Sequence, residues 1–565
     1  MGEKSLVIVE SPTKARTITK FLGKDFIVKA SNGHVRDLPN SAAEIPAKIK
    51  KEPWSRLGVN DQADFEALYI VPPEKREHVK SLQAAMKEAS ILYLATDEDR
   101  EGESISWHLV ETLKPKIPTK RLVFHEITKE AIQHAVATPR DIDENLVKAQ
   151  ETRRIVDRLF GYEVSPLLWK KMARGLSAGR VQSVAIRLLV ERERARMRFV
   201  PSIYWGIEGK FAKNSGDVSV IEAELTHVGD KRVAIGKDFD PETGKLISPN
   251  EVTVLNETTG PSLAEKLRAS PAIVHNIEEK PFTQRPSPPF VTSSLQQEGN
   301  RKLKLSAKRT MTIAQQLYEN GFITYMRTDS TTLSQEALNG ARTFIEKEYG
   351  KQYLPAQPRT YQTKVRNAQE AHEAIRPAGE KFTAPETVRA QLGEDAFRLY
   401  DLIWKRTVAS QMNDAHGTYV NVTIRCADAS FRASGKTITF PGFLRAYVEG
   451  SDDPDADLAD QERILPKVAK GEQLDVKAMD ASEHSTQAPQ RFTEGSLIKE
   501  LERLGIGRPS TWATIVELVL NRSYAFKKGN ALVPTFTACA VVSLLEKHFS
   551  ALLDYEFTAR LEDDL

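Results

Sequence analysis

The chain has 565 residues, 40% apolar and 28% charged, which suggests about four domains at roughly 150 residues each. No apolar run approaches the roughly 18 residues of a spanning helix, so a membrane protein is excluded. The 80 basic and 77 acidic residues nearly balance at +3, so net charge names no partner. Cys426 and Cys539 lie too far apart in sequence for a disulfide scaffold or a Cys-x-x-Cys zinc site. Met1-Gly2-Glu3-Lys4 runs into only four apolar residues, so no signal peptide is expected, and Leu6 breaks the myristoylation pattern. A reducing, cytoplasmic setting is the plain expectation.

In chain order, Leu6–Val9 reads as a short apolar strand, followed by a helix from about Ser11 to Leu22 and a strand at Phe26–Val28. Ser90–Ala95 is a third strand, followed by a helix over Gly102–Leu113. Arg121–Phe124 is a fourth, and Thr128 caps the next helix. Short apolar strands between helices predict a parallel sheet covered on both faces. Ligands bind such sheets at the carboxyl ends of the strands. Residues 143 to 200 read as helical, and Glu151–Arg198 carries twelve basic against five acidic residues. That excess fits a polyanion groove, and it also fits a solvated helix face.

β alternation starts at Tyr204 and resumes between Thr418 and Gln473, with Asp452–Glu462 expected as an exposed acidic loop. Between the two lies a helix-rich stretch, 285–412, entered through the stiff Arg285-Pro-Ser-Pro-Pro289. Helical texture returns from 493. The chain stops in mid-pattern at Phe557–Leu565, which reads as the cut end of a longer protein.

Four constellations could carry chemistry. In Asp97-Glu-Asp-Arg-Glu-Gly-Glu103, carboxylates at 97, 99 and 101 on an extended strand end would point to one side. They are hard oxygen ligands suited to Mg²⁺. Glu10 follows the first strand in the same way, so it and the Asp97/Asp99 pair are expected to converge; the bland alternative is a solvated acidic loop. In Glu319–Ser330, Tyr325 and Arg327 would share a face if extended. Tyrosine has a pKa of about 10, so a nucleophilic Tyr325 would need its phenolate stabilised. Taken alone, a Tyr beside an Arg is more often packing. Leu176–Ser183 offers Ser177, Arg180 and Gln182 as donors around small residues, or a plain helix–helix turn. Gly505–Thr511 places Arg508 and Thr511 before a helix, a weak phosphate signal. Gly435-Lys436-Thr437 lacks the first glycine of a Walker A loop and reads as a hairpin turn. His372–Arg376 begins like a zinc-protease helix and ends in the wrong residue. No ATP or dinucleotide site is expected.

Together these residues resemble the type IA DNA topoisomerases, and within them the bacterial topoisomerase I branch. Val7–Lys14 and Asp97–Glu103 look like the two Toprim signatures. Ala149–Arg158, Gly161–Pro166 and Leu176–Ser183 resemble the family's DNA-binding motifs. Ile323–Ser330 resembles its active-site tyrosine motif, and Asn367–Pro377 and Gly505–Thr511 complete the set in the family's order.

The resemblance implies a multidomain α/β, α and β architecture forming a toroid. Residues 1–142 would be the Toprim domain, with an insert near 38–65 belonging to the helical domain. Residues 143–200 and 490–565 would form a helical single-strand-binding domain. Residues 201–284 and 413–489 would form a β-rich arch, and 285–412 a helical gate carrying the tyrosine. The resemblance also implies relaxation of negatively supercoiled DNA without ATP, through a 5′-phosphotyrosine on Tyr325.

By the same resemblance, Arg327 and Lys14 stabilise charge on phosphorus, Glu10 acts as acid and base, and His372 tunes the site. Glu10, Asp97, Asp99 and possibly Glu101 would hold Mg²⁺. DNA contacts are carried over to His34, Arg121, Arg154, Asp157, Arg158, Glu163, Lys170, Ser177, Ala178, Gly179, Arg180, Val181, Gln182, Arg327, Arg508, Thr511 and Arg522. The expected protein is a monomer of the bacterial cytoplasm, acting at the nucleoid on single-stranded or negatively supercoiled DNA. The family's C-terminal region, often zinc-binding and a site for protein partners, is missing, so no zinc is expected here. A topoisomerase III-like decatenase shares nearly every motif. A Toprim nuclease or primase would share the carboxylates without the tyrosine motif, and a passive single-strand clamp would leave both unused.

Overall fold

The structure is a computed structural model that describes residues 4–213, 219–361, 373–450 and 463–565. The Asp452–Glu462 loop and His372 lie outside the described residues. The chain divides into two compact units.

The first unit comprises Met1–Leu189, Ser287–Gln411 and Phe492–Leu565. It contains a four-stranded parallel sheet in the order Phe26–Ala30, Lys4–Val9, Ala89–Leu94, Thr119–Arg121. Leu6, Ile8, Leu92 and Leu94 are fully buried and pack with Ile105 and Leu109 of helix Arg100–Leu113. Burial on both faces explains why these strands are uninterrupted apolar runs.

Two strands deliver polar residues to the same edge of this sheet. Val9 is followed by Glu10 and by helix Pro12–Thr19, where Ser11 accepts a hydrogen bond from the Lys14 N–H at 3.1 Å. Leu94 is followed by Asp97 and by helix Arg100–Leu113, capped by Asp99, which accepts from the Gly102 N–H at 2.8 Å. The acidic run is therefore not the extended strand end that alternation predicted. Asp97 lies in the irregular link after the strand, Asp99 is a helix cap, and Glu101 sits in the first helical turn. Capping by a short carboxylate outcompetes strand continuation here.

The basic helical stretch forms helices Glu144–Lys171 and Arg180–Arg198, and the Leu176–Ser183 motif spans the turn between them and the start of the second. Residues 287–411 form helices Thr292–Leu303, Ala307–Glu319, Gln335–Glu348, Pro385–Leu392 and Glu394–Ser410. Tyr325 lies on an irregular loop after the second of these, tied to the 375–377 segment by bridges Phe290–Ile375 and Ile323–Pro377.

The second unit comprises Val190–Pro286 and Met412–Arg491 and is built on an eight-stranded sheet. Strands Ala272–Gln284, Ala415–Cys426 and Ala429–Phe440 are long antiparallel neighbours. Val220–Val228 pairs with both Ala429–Phe440 and Ile203–Lys213, which closes six strands into a ring around Phe211, Ile221, Val274, Ile424 and Phe431. Gly435-Lys436-Thr437 is not a hairpin turn. It lies within strand Ala429–Phe440, with the Lys436 ammonium over the Phe282 ring at 5.2 Å.

Candidate active site

At the sheet edge the Lys14 ammonium is fully buried between two carboxylates. It donates to Glu10 Oε1 at 3.0 Å and to Asp97 Oδ1 at 2.9 Å. Burial pushes the Glu10 carboxyl up, and the nearby Asp97 charge pushes it further, to about 8. Asp97 moves the opposite way: burial, the largest single influence, opposes its charge, but the Lys14 ammonium, the hydrogen bonds with Glu10 and Lys14 and the Arg327 charge together outweigh it and lower its pKa. Two carboxylates around one ammonium thus share a proton, and it resides on Glu10.

Tyr325 closes over this edge. Its hydroxyl donates to Asp99 Oδ2 at 2.6 Å, and Arg327 Nη1 approaches the same oxygen at 3.2 Å and Glu101 Oε2 at 2.6 Å. The phenol is buried, its ring set edge-on to Tyr318 with centroids 5.2 Å apart. Burial first, and then the charges of Asp99 and Asp97, hold the phenol well above its ordinary pKa. Tyr325 is therefore held as a neutral phenol with its proton aimed at a carboxylate. The loop is fixed by its backbone. The Tyr325 N–H donates to the His125 carbonyl at 2.8 Å, and Thr324 Oγ1 donates to the Ala374 carbonyl at 2.7 Å.

Arg121, expected as a DNA contact, is fully buried in this structure. Its guanidinium donates to Glu103 and to the carbonyls of Leu94, Thr96, Asp97 and Leu122. Its planar fork instead clamps the carboxylate loop to the strand end. Glu103 receives Arg140 as well, at 2.8 Å. Sequence reasoning also missed Tyr318, whose buried ring lies between Tyr325 and the Lys14 ammonium. Its position in helix Ala307–Glu319 is that of any core residue, so no local signal marked it.

A second depression collects many of the expected DNA contacts. Arg154, Asp157, Arg158, Ser177, Ala178 and Arg522 line one groove, joined by Tyr162, Trp169, Lys50 and Arg56, which the sequence had not singled out. His34 shares a smaller pocket with Arg154 and Glu101, its Nδ1 3.0 Å from Nδ1 of His108. Burial lowers the pKa of both imidazoles, so the pair is neutral.

Other expected contacts are turned away. Val181 and Gln182 are buried, and Gln182 donates back to Ser177. Gly179 packs beside Gln182. Glu163 and Lys170 are exposed but do not line the groove. Arg180 and Arg508 are buried against Glu562. The Thr511 hydroxyl accepts from the Arg508 N–H at 2.9 Å, so it does not cap the following helix as the phosphate signal required.

Glu10, Asp97, Asp99, Glu101 and Arg327 line one cavity together with Ser510 and Thr514. Four carboxylates facing one space are a hard-oxygen donor set, and Mg²⁺ takes only one or two of them beside water and phosphate. The donor chemistry fits that ion. Among the described residues no three such ligands are drawn together as a ready cage. Lys14 and Arg327 serve as the internal counter-cations instead.

A Toprim-type carboxylate edge facing a buried tyrosine defines the class, and comparison with known proteins agrees. Residues 5–127 match the Toprim domain, and residues 141–565 match the DNA topoisomerase family. The chain belongs to that DNA topoisomerase family. It is 55% identical to DNA topoisomerase 1 of Mycolicibacterium smegmatis over 572 residues, covering 100% of this chain and 61% of that protein. It is 56% identical to DNA topoisomerase 1 of Synechococcus elongatus over 560 residues, covering 99% of this chain and 63% of that protein. The chain thus spans about three-fifths of the length of these curated relatives. Among solved structures, full-length topoisomerase I from Thermotoga maritima superposes with a TM-score of 0.80 at 35% identity, over 99% of this chain and 85% of that one.

Proposed function

We propose that the chain is the cleaving and resealing core of a type IA DNA topoisomerase that relaxes negatively supercoiled DNA. The observation that supports this best is the approach of the Tyr325 hydroxyl and Arg327 to one Asp99 oxygen, above the edge that holds Glu10, Lys14 and Asp97. Tyr325 Oη attacks a phosphorus of a single strand, and the bond to the 3′ oxygen breaks. The phenolic proton passes to Asp99, and Glu10 gives its proton to the departing 3′ oxygen. Lys14 and Arg327 stabilise the charge on the five-coordinate phosphorus. The products are a 5′-phosphotyrosine and a free 3′-hydroxyl. The linkage conserves the ester energy, so the reverse reaction needs no ATP. Glu10, Asp97 and Asp99, with Glu101 at the rim, would hold Mg²⁺, which supplies charge neutralisation for the phosphate oxygens.

The strand would lie along the groove of Arg154, Arg158, Ser177 and Arg522, where cationic and aromatic side chains suit an unpaired polyanion. A DNA substrate places the protein at the nucleoid. Tyr325→Phe removes the nucleophile while keeping the ring. The variant should bind a single-stranded oligonucleotide normally and form no covalent adduct on a denaturing gel. An adduct formed by Tyr325→Phe would refute the assignment.

A further inference from the structure

The helix Tyr555–Asp564 carries Glu562 into the interior of the first unit. Its carboxylate meets three guanidinium groups from three separate stretches of chain. Arg153 of helix Glu144–Lys171 approaches Oε2 at 3.3 Å. Arg180, at the start of helix Arg180–Arg198, pairs with Oε1. Arg508, in the Gly505–Thr511 turn, lies 4.0 Å from Oε2 and donates to the Glu562 carbonyl. All four side chains are buried. Burial opposes the charge on Glu562, but the three arginines outweigh it and hold its pKa below the ordinary carboxylate range.

The node reaches the working surfaces in three directions. Arg180 also holds Asp157 at 3.2 Å, and Asp157 lines the groove. Arg508 is followed directly by Pro509 and Ser510, which line the cavity of Asp97, Asp99 and Arg327. At the end of the same helix, the Leu565 carbonyl accepts from Arg100 at 3.2 Å, and Arg100 sits between Asp99 and Glu101.

We propose that Glu562 is a positioning residue that sets the groove, the Arg508 turn and the carboxylate loop in register, so that a bound strand presents its phosphate to Tyr325. The proposal rests on the reading of the site as a single-strand-cleaving one. Arg180 and Arg508 then serve DNA binding through their grip on one buried carboxylate rather than by touching phosphate. Removing the carboxylate leaves buried positive charge that Asp157 and Asp563 compensate only in part, so the three arginines should shift without Glu562.

The test compares the unaltered chain with Glu562→Gln, Glu562→Asp and Arg153→Gln, well below their melting temperatures. Two readouts matter: affinity for an end-labelled single strand, and the distribution of cut positions along it. Glu562→Gln should weaken binding on the order of tenfold and redistribute the cuts, with Glu562→Asp restoring part of both. Arg153 lines neither the groove nor the cavity, and Arg153→Gln should repeat the effect in weaker form. A Glu562→Gln protein that melts lower yet keeps normal affinity and cut positions overturns the proposal. If that variant does not fold, the same result from Arg153→Gln overturns it. Absence of any adduct from the unaltered chain would instead overturn the functional reading, while the affinity comparison still decides the role of Glu562.

Discussion

A methyl group at position 102 would sit 2.2 Å from the Asp97 carbonyl oxygen, far inside contact distance. Gly102 is helical, and Gly→Ala in a helix ordinarily stabilises by about 0.5–1 kcal/mol. Here the sign should reverse. Gly102→Ala should cost about 1–3 kcal/mol in urea unfolding through overpacking, and it should depress adduct formation by displacing Asp97. A variant as active and as stable as the unaltered chain would contradict this account of the loop. Glu10 gives a second prediction, in pH. Its folded pKa of about 8 lies above its ordinary value of 4.5. Its contribution to stability is therefore full below about 4.5 and is lost as pH rises through about 8. In the proposed mechanism the protonated form is also the acid that cleavage needs. In metal-free buffer, adduct formation should fall as pH rises through about 8, and Glu10→Gln should flatten that profile. A fall of the same midpoint in Glu10→Gln would assign the titration elsewhere.

The Tyr325 segment is held on the parallel-sheet region by few but buried contacts. Arg376 pairs with Glu126 at 2.8 Å and Glu373 at 2.6 Å, and Glu126 also accepts from the Gly379 N–H at 2.9 Å. Arg376→Gln would leave two buried carboxylates without their cation, a loss of about 3–5 kcal/mol. Amide exchange at Tyr325, whose N–H reaches across to His125, should speed up in that variant. Unchanged exchange would show that the pair does not hold the segment down. At this scale much of the fold is legible in the sequence. Unbroken apolar runs mark the parallel strands because both faces are buried, and alternation marks the second unit's strands. The carboxylate loop is misread because Asp99 serves as a helix cap, a choice that alternation cannot express. The burial of Arg121, Arg180 and Arg508 escapes the sequence for a related reason. A basic residue in a DNA-binding motif looks the same whether it faces solvent or a buried Glu, which lies 18 residues away for Arg121 and at a far greater separation for Arg180 and Arg508, and only packing decides.

The first unit draws on three separate parts of the chain. Tyr325 and Asp99 are 226 residues apart in sequence yet share a 2.6 Å hydrogen bond, and no spacing rule could have joined them. Family resemblance named both residues, Tyr325 as nucleophile and Asp99 as a metal ligand, without joining them; geometry adds a buried phenol beside an acceptor carboxylate and a protonated Glu10 across the edge. In the proposed function this assembly cuts by forming a bond to Tyr325. The most direct measurement incubates the chain with single-stranded DNA labelled on one or the other side of the break, then denatures the protein. Label should stay on protein only from the fragment that carries the 5′-phosphate, and none should stay with Tyr325→Phe. A clean break with no retained label, or label retained through the 3′ side, would contradict it.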